Sequence, residues 1–106
     1  MKEYGLYIDG RWTAAAGGDT FQSINPATGE VLAVFAAGDA GDVEKAVQAA
    51  SKTGPKWRNF PAPKRGEILL EAAAIMRKRT EELGSLVSRE MGKVISEGKG
   101  EDELVY

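Results

Sequence analysis

The chain has 106 residues, 42% hydrophobic and 28% charged, with 13 Gly and 4 Pro, which fits one soluble globular segment and excludes a disordered or collagen-like one. Its 14 basic and 16 acidic residues give a net charge of −2 and lie interspersed, which argues against nucleic-acid or membrane-surface partners. With no Cys and no His, disulfides, thiolate nucleophiles, thiolate metal sites and imidazole general bases are all excluded.

The start, Met1-Lys2-Glu3-Tyr4-Gly5, has no apolar h-region. A secretory leader is therefore not expected, and the expected compartment is the cytosol. No window approaches the roughly 18 apolar residues of a membrane span. Residues 4–35 read as strand and turn. Leu6-Tyr7-Ile8 and Arg11-Trp12-Thr13 flank Asp9-Gly10, the pair favoured by a two-residue type I′ hairpin. Ala14 to Asp19 is a small-residue loop. Phe21-Gln22-Ser23-Ile24 is extended and enters the turn Asn25-Pro26-Ala27-Thr28-Gly29-Glu30, where Pro26 presets φ and Gly29 supplies a positive φ. Val31 to Phe35 is an apolar, β-branched run that reads as a returning strand.

From residue 39 the apolar period changes from two to about 3.6. Asp39 is the expected N-cap of a first helix with Asp42 in its first turn, and Val43, Ala46, Val47 and Ala50 form its stripe. Gly54-Pro55 is expected to stop it, leaving Trp57 and Phe60 as hydrophobic plugs in the connection. Pro61 and Pro63 open a second helix, whose stripe is Ile68, Leu69, Ala72, Ala73 and Met76. Its end, Arg77-Lys78-Arg79, complements the helix dipole better than it suits a phosphate. Thr80 is the expected cap of a third helix with the stripe Leu83, Leu86, Val87 and Met91, and Gly92 is the expected C′ stop. Gly98-Lys99-Gly100 should interrupt the pattern, with Glu101–Tyr106 beginning a fourth helix. Residues 1–38 thus form a strand-and-turn segment and 39–106 a helical one, an α+β layout of hairpin and strands followed by three to four helices.

Glu90 lies seven residues after Leu83, so the helical period assigns it to the buried stripe of the third helix, where a carboxylate is costly unless paired or coordinated. Two readings follow: a structural ion pair with an Arg or Lys of a neighbouring helix, or an oxygen ligand for a hard monovalent cation. Nucleotide loops fail inspection. Gly98-Lys99-Gly100 has Glu at 103 where GxGxxG needs Gly, and Val94 follows Gly92-Lys93 where a P-loop needs Ser or Thr. The aromatic set, Tyr4, Tyr7, Trp12, Phe21, Phe35, Trp57 and Phe60, fits core and interface packing better than base stacking, because basic partners are sparse. No catalytic or cofactor-binding residue is assigned.

Six pieces in order then resemble the aldehyde dehydrogenase superfamily, at its N-terminal segment: Tyr7-Ile8-Asp9-Gly10-Arg11-Trp12, Asn25-Pro26-Ala27-Thr28-Gly29-Glu30-Val31, the run Asp42 to Ala50, the Trp57 connection, Arg65 before Ile68-Leu69, and Glu90-Met91-Gly92-Lys93. The resemblance implies part of the family's α/β fold, specifically an incomplete N-terminal cofactor-binding domain. It implies a parent enzyme that oxidises aldehydes to acids with NAD or NADP, through a Cys thiolate and a Glu-activated water located downstream. It further implies the remainder of the subunit as partner and a homo-oligomeric parent. This chain alone is expected to be inactive and to bind neither NAD nor NADP. The resemblance also carries a monovalent-cation site onto Ser23, Ile24 and Glu90, for K⁺ or Na⁺. The six residues Glu101 to Tyr106 depart from the family's wording. Two other readings stand beside this one: a free-standing module that binds intact dehydrogenase subunits, and a domain that folds around a bound cation.

Overall fold

The computed structural model describes residues 2–100. Two compact units divide the chain, Met1–Ile24 with Val31–Asn59 and Asn25–Glu30 with Phe60–Tyr106. The order of elements is strands first and then helices, and the period change at residue 39 falls in the gap between the last strand, ending at Ala36, and the first helix, starting at Ala40.

In the first unit, β2 (Leu6–Ile8) and β3 (Arg11–Thr13) form the antiparallel hairpin, with Ile8 opposite Arg11 across the turn. Asp9 and Gly10 both take positive φ, 53° and 75°, as a type I′ turn requires. Leu6 and Ile8 face inward and are half-buried, while Tyr7 and its cross-strand partner Trp12 lie on the outer face with ring centroids 5.1 Å apart. A three-stranded sheet in the order β1-β5-β4 accompanies the hairpin. Here β4 (Thr20–Ile24) pairs antiparallel with β5 (Val31–Ala36), as its sequence suggests, whereas β1 (Lys2–Tyr4) pairs parallel with β5. The parallel pairing joins Tyr4 to Phe35, a partner far along the chain, and no local pattern announces it.

The register places Tyr4, Phe35 and Phe21 in one row across the sheet. Their rings stack, with centroids 5.4 Å apart for Tyr4–Phe35 and 5.5 Å for Phe21–Phe35. The helix of this unit, α1 (Ala40–Asn59), runs through Pro55 instead of stopping there. Proline removes only its own N–H bond and crowds the preceding turn, which bends or weakens a helix without necessarily ending it. Lys56 and Arg58 beyond it favour the C-terminal end electrostatically. Trp57 therefore sits in the last turn of α1, and at 40% and 44% exposure neither Trp57 nor Phe60 is a buried plug.

Among the described residues, the second unit holds the Asn25–Glu30 turn and three helices. The Gly29 N–H donates to the Asn25 carbonyl at 2.8 Å, the Ala27 N–H to the Asn25 side-chain oxygen at 2.9 Å, and Gly29 has φ 76°. An Asx turn and a left-handed glycine thus close this turn. α2 (Ala62–Lys78) starts after Pro61 with a second proline in its first turn, where the missing donors have no helical partner to lose. α3 (Thr80–Met91) follows after a single non-helical residue, Arg79. Thr80 is not its cap: it is already helical, and its hydroxyl donates to the Arg77 carbonyl at 2.8 Å, closing α2 instead. Arg79 holds Glu82 through two bonds of 2.9 and 2.6 Å, which raise its pKa through the side-chain hydrogen bond and then the charge attraction. Gly92 caps α3 in the left-handed conformation, φ 75°, and its N–H reaches the Ser88 carbonyl at 2.9 Å. α4 (Ile95–Gly100) includes Gly98 and runs to Gly100, the last described residue, so Gly98 does not interrupt it. The expectation for Glu101–Tyr106 lies outside the described residues.

Among the described residues the buried apolar side chains are Ala15, Ala33 and Ala73, and no large side chain is fully enclosed. Leu69, Ile68, Ile75, Val43 and Val47 all stand at 46% exposure or more. The predicted stripes are not the covered faces: all four residues of the α1 stripe, Val43, Ala46, Val47 and Ala50, are exposed, and so are Ile68, Leu69 and Ala72 of α2.

Candidate functional site

The most tightly organised polar cluster lies in the first unit, at the start of α1. The Asp42 N–H donates to Asp39 Oδ1 at 2.9 Å, and the Asp39 N–H donates back to Asp42 Oδ2 at 3.0 Å. This is a reciprocal capping box in which Asp takes the place of the usual Glu at the third helical position. Asp42 is only 5% exposed, and both of its carboxylate oxygens also accept the Ala16 N–H at 3.2 Å. The backbone donors of Asp39 and Ala16 hold its carboxyl below its ordinary pKa, against the opposing effect of desolvation, and Lys45 adds a smaller attraction. The loop before β4 is pinned at its other end by the Ala37 N–H, which donates to the Asp19 carbonyl at 2.8 Å.

The cluster ties the start of α1 to the Ala16 backbone. Its acidic groups already satisfy helix donors that a phosphate would otherwise use, and their charge would repel one. The fit of the dinucleotide that the fold implies can be tested on the glycines. Gly10, Gly18, Gly29 and Gly92, which carry positive φ, serve turns, a loop and a helix cap. None of these four opens a helix N-terminus in the manner of a pyrophosphate loop.

Ser23 and Ile24 end β4 at a register shift, with Ser23 opposite Ala33 and Ile24 opposite Val31, so that the register passes over Leu32. Such a bulge re-aims backbone groups, and nothing in the sequence signals it. These two residues belong to the first unit, whereas Glu90 belongs to the second. Glu90 is exposed, not buried in a stripe. The covered side of α3 is centred on Gly84, Val87 and Ser88, with Gly84 buried. Leu86 and Met91 of the expected stripe are 40% and 61% exposed, and Glu90 lies beyond the edge of the covered side. Among the described residues no group of three or more acidic side chains could hold a metal.

The Aldehyde dehydrogenase family model matches residues 12–105. The chain is 41% identical over 108 aligned positions to aldehyde dehydrogenase family 7 member A1 of Pisum sativum, which covers 95% of this chain and 21% of that protein. It is 43% identical over 95 positions to malonate-semialdehyde dehydrogenase 1 of Geobacillus kaustophilus, covering 90% of this chain and 20% of the relative. Among solved structures it superposes on PnpE in complex with nicotinamide adenine dinucleotide with a TM-score of 0.87 at 37% identity, over 92% of this chain and 20% of that one. The chain belongs to the aldehyde dehydrogenase family, and its strands and helices are an N-terminal segment of that fold. It spans about a fifth of the length of the relatives it matches.

Proposed function

We propose that these residues are the N-terminal part of an NAD(P)-dependent aldehyde dehydrogenase, and that on their own they have no dehydrogenase activity. The observation that carries the reading is the family match over residues 12–105 in a chain that has no Cys. Oxidation of an aldehyde by this family's route needs a thiolate to form the covalent adduct from which hydride leaves, and no residue type present here replaces it at neutral pH. In the whole subunit the segment supports the cofactor-binding domain, and the remainder of the subunit is its partner. The PnpE relative was solved with nicotinamide adenine dinucleotide, which supports a nicotinamide cofactor for the whole enzyme.

Incubating the purified chain with NAD or NADP and a panel of aldehydes tests this. No NAD(P)H absorbance is expected, and joining the chain to the downstream four-fifths of a relative should restore it. Turnover by the chain alone would overturn the proposal.

A further inference from the structure

The three-stranded sheet has two edges, and the sequence guards only one of them. β1 is three residues long and carries Lys2 and Glu3, the short, charged kind of edge that discourages pairing with another chain. β4 is five residues long, and no charged residue occurs from Thr20 to Gly29. Among the described residues no strand pairs with its outer edge. Thr20, Phe21 and Gln22 are exposed, and Phe21, the outer ring of the aromatic row, stands at 55%. The Ala37 N–H bond to the Asp19 carbonyl sets which backbone groups face outward. Bonded pairs alternate along an antiparallel ladder, so Asp19, Phe21 and Ser23 turn their N–H and C=O toward β5. Thr20 and Gln22 turn theirs to the open edge, ahead of the bulge at Ser23 and Ile24.

We propose that this edge is a pairing surface for a second copy of the chain, antiparallel and related by a twofold axis at Phe21. In that register Thr20 of each copy stands opposite Gln22 of the other, and their outward N–H and C=O groups bond to each other. The Phe21 residues of the two copies meet at a non-hydrogen-bonded position, where Cα atoms lie about 4.5 Å apart and side chains approach most closely. The Tyr4–Phe35–Phe21 row then continues unbroken into the second copy on the same face of the joined sheet. Asp19 falls opposite Ser23, so no like charges meet. The β1 edge offers no such match, because self-pairing centred on Glu3 would set carboxylate against carboxylate. A strand pair this short buries little area, so the dissociation constant should be on the order of 100 μM.

Sedimentation equilibrium of the full chain, from about 10 μM to about 1 mM, tests this. The mass should rise from one copy toward two and no further, because a twofold contact closes on itself. Thr20→Lys with Gln22→Lys sets lysine opposite lysine across the axis and should raise the dissociation constant about five-fold or more. Thr20→Lys with Gln22→Glu sets opposite charges there and should leave the constant unchanged or lower it. Both double variants alter exposed side chains only, so at low concentration they should melt alike. Phe21→Cys, in a chain that has no other cysteine, should form a disulfide-linked pair under mild oxidation. Leu70→Cys, at a position 67% exposed, should cross-link far more slowly. A chain that stays monomeric throughout, or that grows past two copies, overturns the proposal. So does equal association by the two double variants, or cross-linking through Leu70→Cys as fast as through Phe21→Cys.

Discussion

The carboxylate of Asp42 grips the backbone N–H of Ala16, 26 residues earlier, with both oxygens at 3.2 Å, while also closing the capping box with Asp39. One side chain thus fixes the start of α1 and the loop that precedes β4. Asp42→Ala should lower the thermal midpoint more than Asp39→Ala, because it orphans the Ala16 donor as well as the Asp39 donor. The pH dependence follows from the lowered pKa. The folded state binds the Asp42 proton more weakly than the unfolded chain does, so stability is fully present above the ordinary carboxylate range and lost as pH falls through the lower, folded value. Midpoints recorded from about pH 6 down to about pH 2 should fall less steeply for Asp42→Asn than for the unaltered chain. Parallel curves would show that another group sets the acid limb.

Two glycines of the same unit should fail for different reasons. Gly10 has φ 75° and open space where a Cβ would stand, so Gly10→Ala meets only the left-handed backbone penalty, about 1 kcal/mol. Gly5 has no positive φ, but a Cβ there would lie 2.5 Å from the Thr13 carbonyl oxygen. Gly5→Ala must push the end of the hairpin away and should cost more, about 2 kcal/mol or above. Urea unfolding of both variants ranks them, and a Gly10→Ala loss equal to or above that of Gly5→Ala would contradict the steric account.

Phe35 occupies the middle of the aromatic row and stacks on both Tyr4 and Phe21. An aromatic pair contributes roughly 0.5–1.5 kcal/mol beyond area burial. Phe35→Leu, which removes two pairs, should therefore cost about twice as much as Tyr4→Leu or Phe21→Leu, each of which removes one. Equal losses across the three variants in chemical denaturation would mean that the stacking adds nothing to burial.

What could be read from the sequence was the chemistry of short spans. Asp9-Gly10 dictated its turn, Asp39 capped α1, and Gly92 ended α3, because each depends on the φ preference or donors of one or two residues. What escaped depends on distant partners. The parallel β1–β5 register and the Ala16–Asp42 bond join residues with no periodic relation, and the bulge at Ser23 and Ile24 has no residue signature. The misplacement of Glu90 has the same origin. A helical period states which residues share a face but not which face a neighbour covers, and the covered side of α3 includes Gly84 but not Glu90. Family membership was nonetheless legible, because turn and cap chemistry spaced in a fixed order is what the resemblance consists of.

Sequence and structure differ most in α1 at Pro55. The helix continues to Asn59 although the proline cannot donate to the carbonyl four residues back and its ring crowds that turn. An interior proline costs about 3 kcal/mol relative to alanine, part of which is offset because proline also restricts the unfolded chain. Pro55→Ala should therefore stabilise the chain by about 1–2 kcal/mol and raise its helical circular dichroism slightly. If Pro55 instead truly terminated α1, the preceding turns would gain nothing from the substitution and stability would stay flat or fall through the lost restriction of the unfolded state. Thermal melts of the two proteins, compared at one pH, decide between these outcomes.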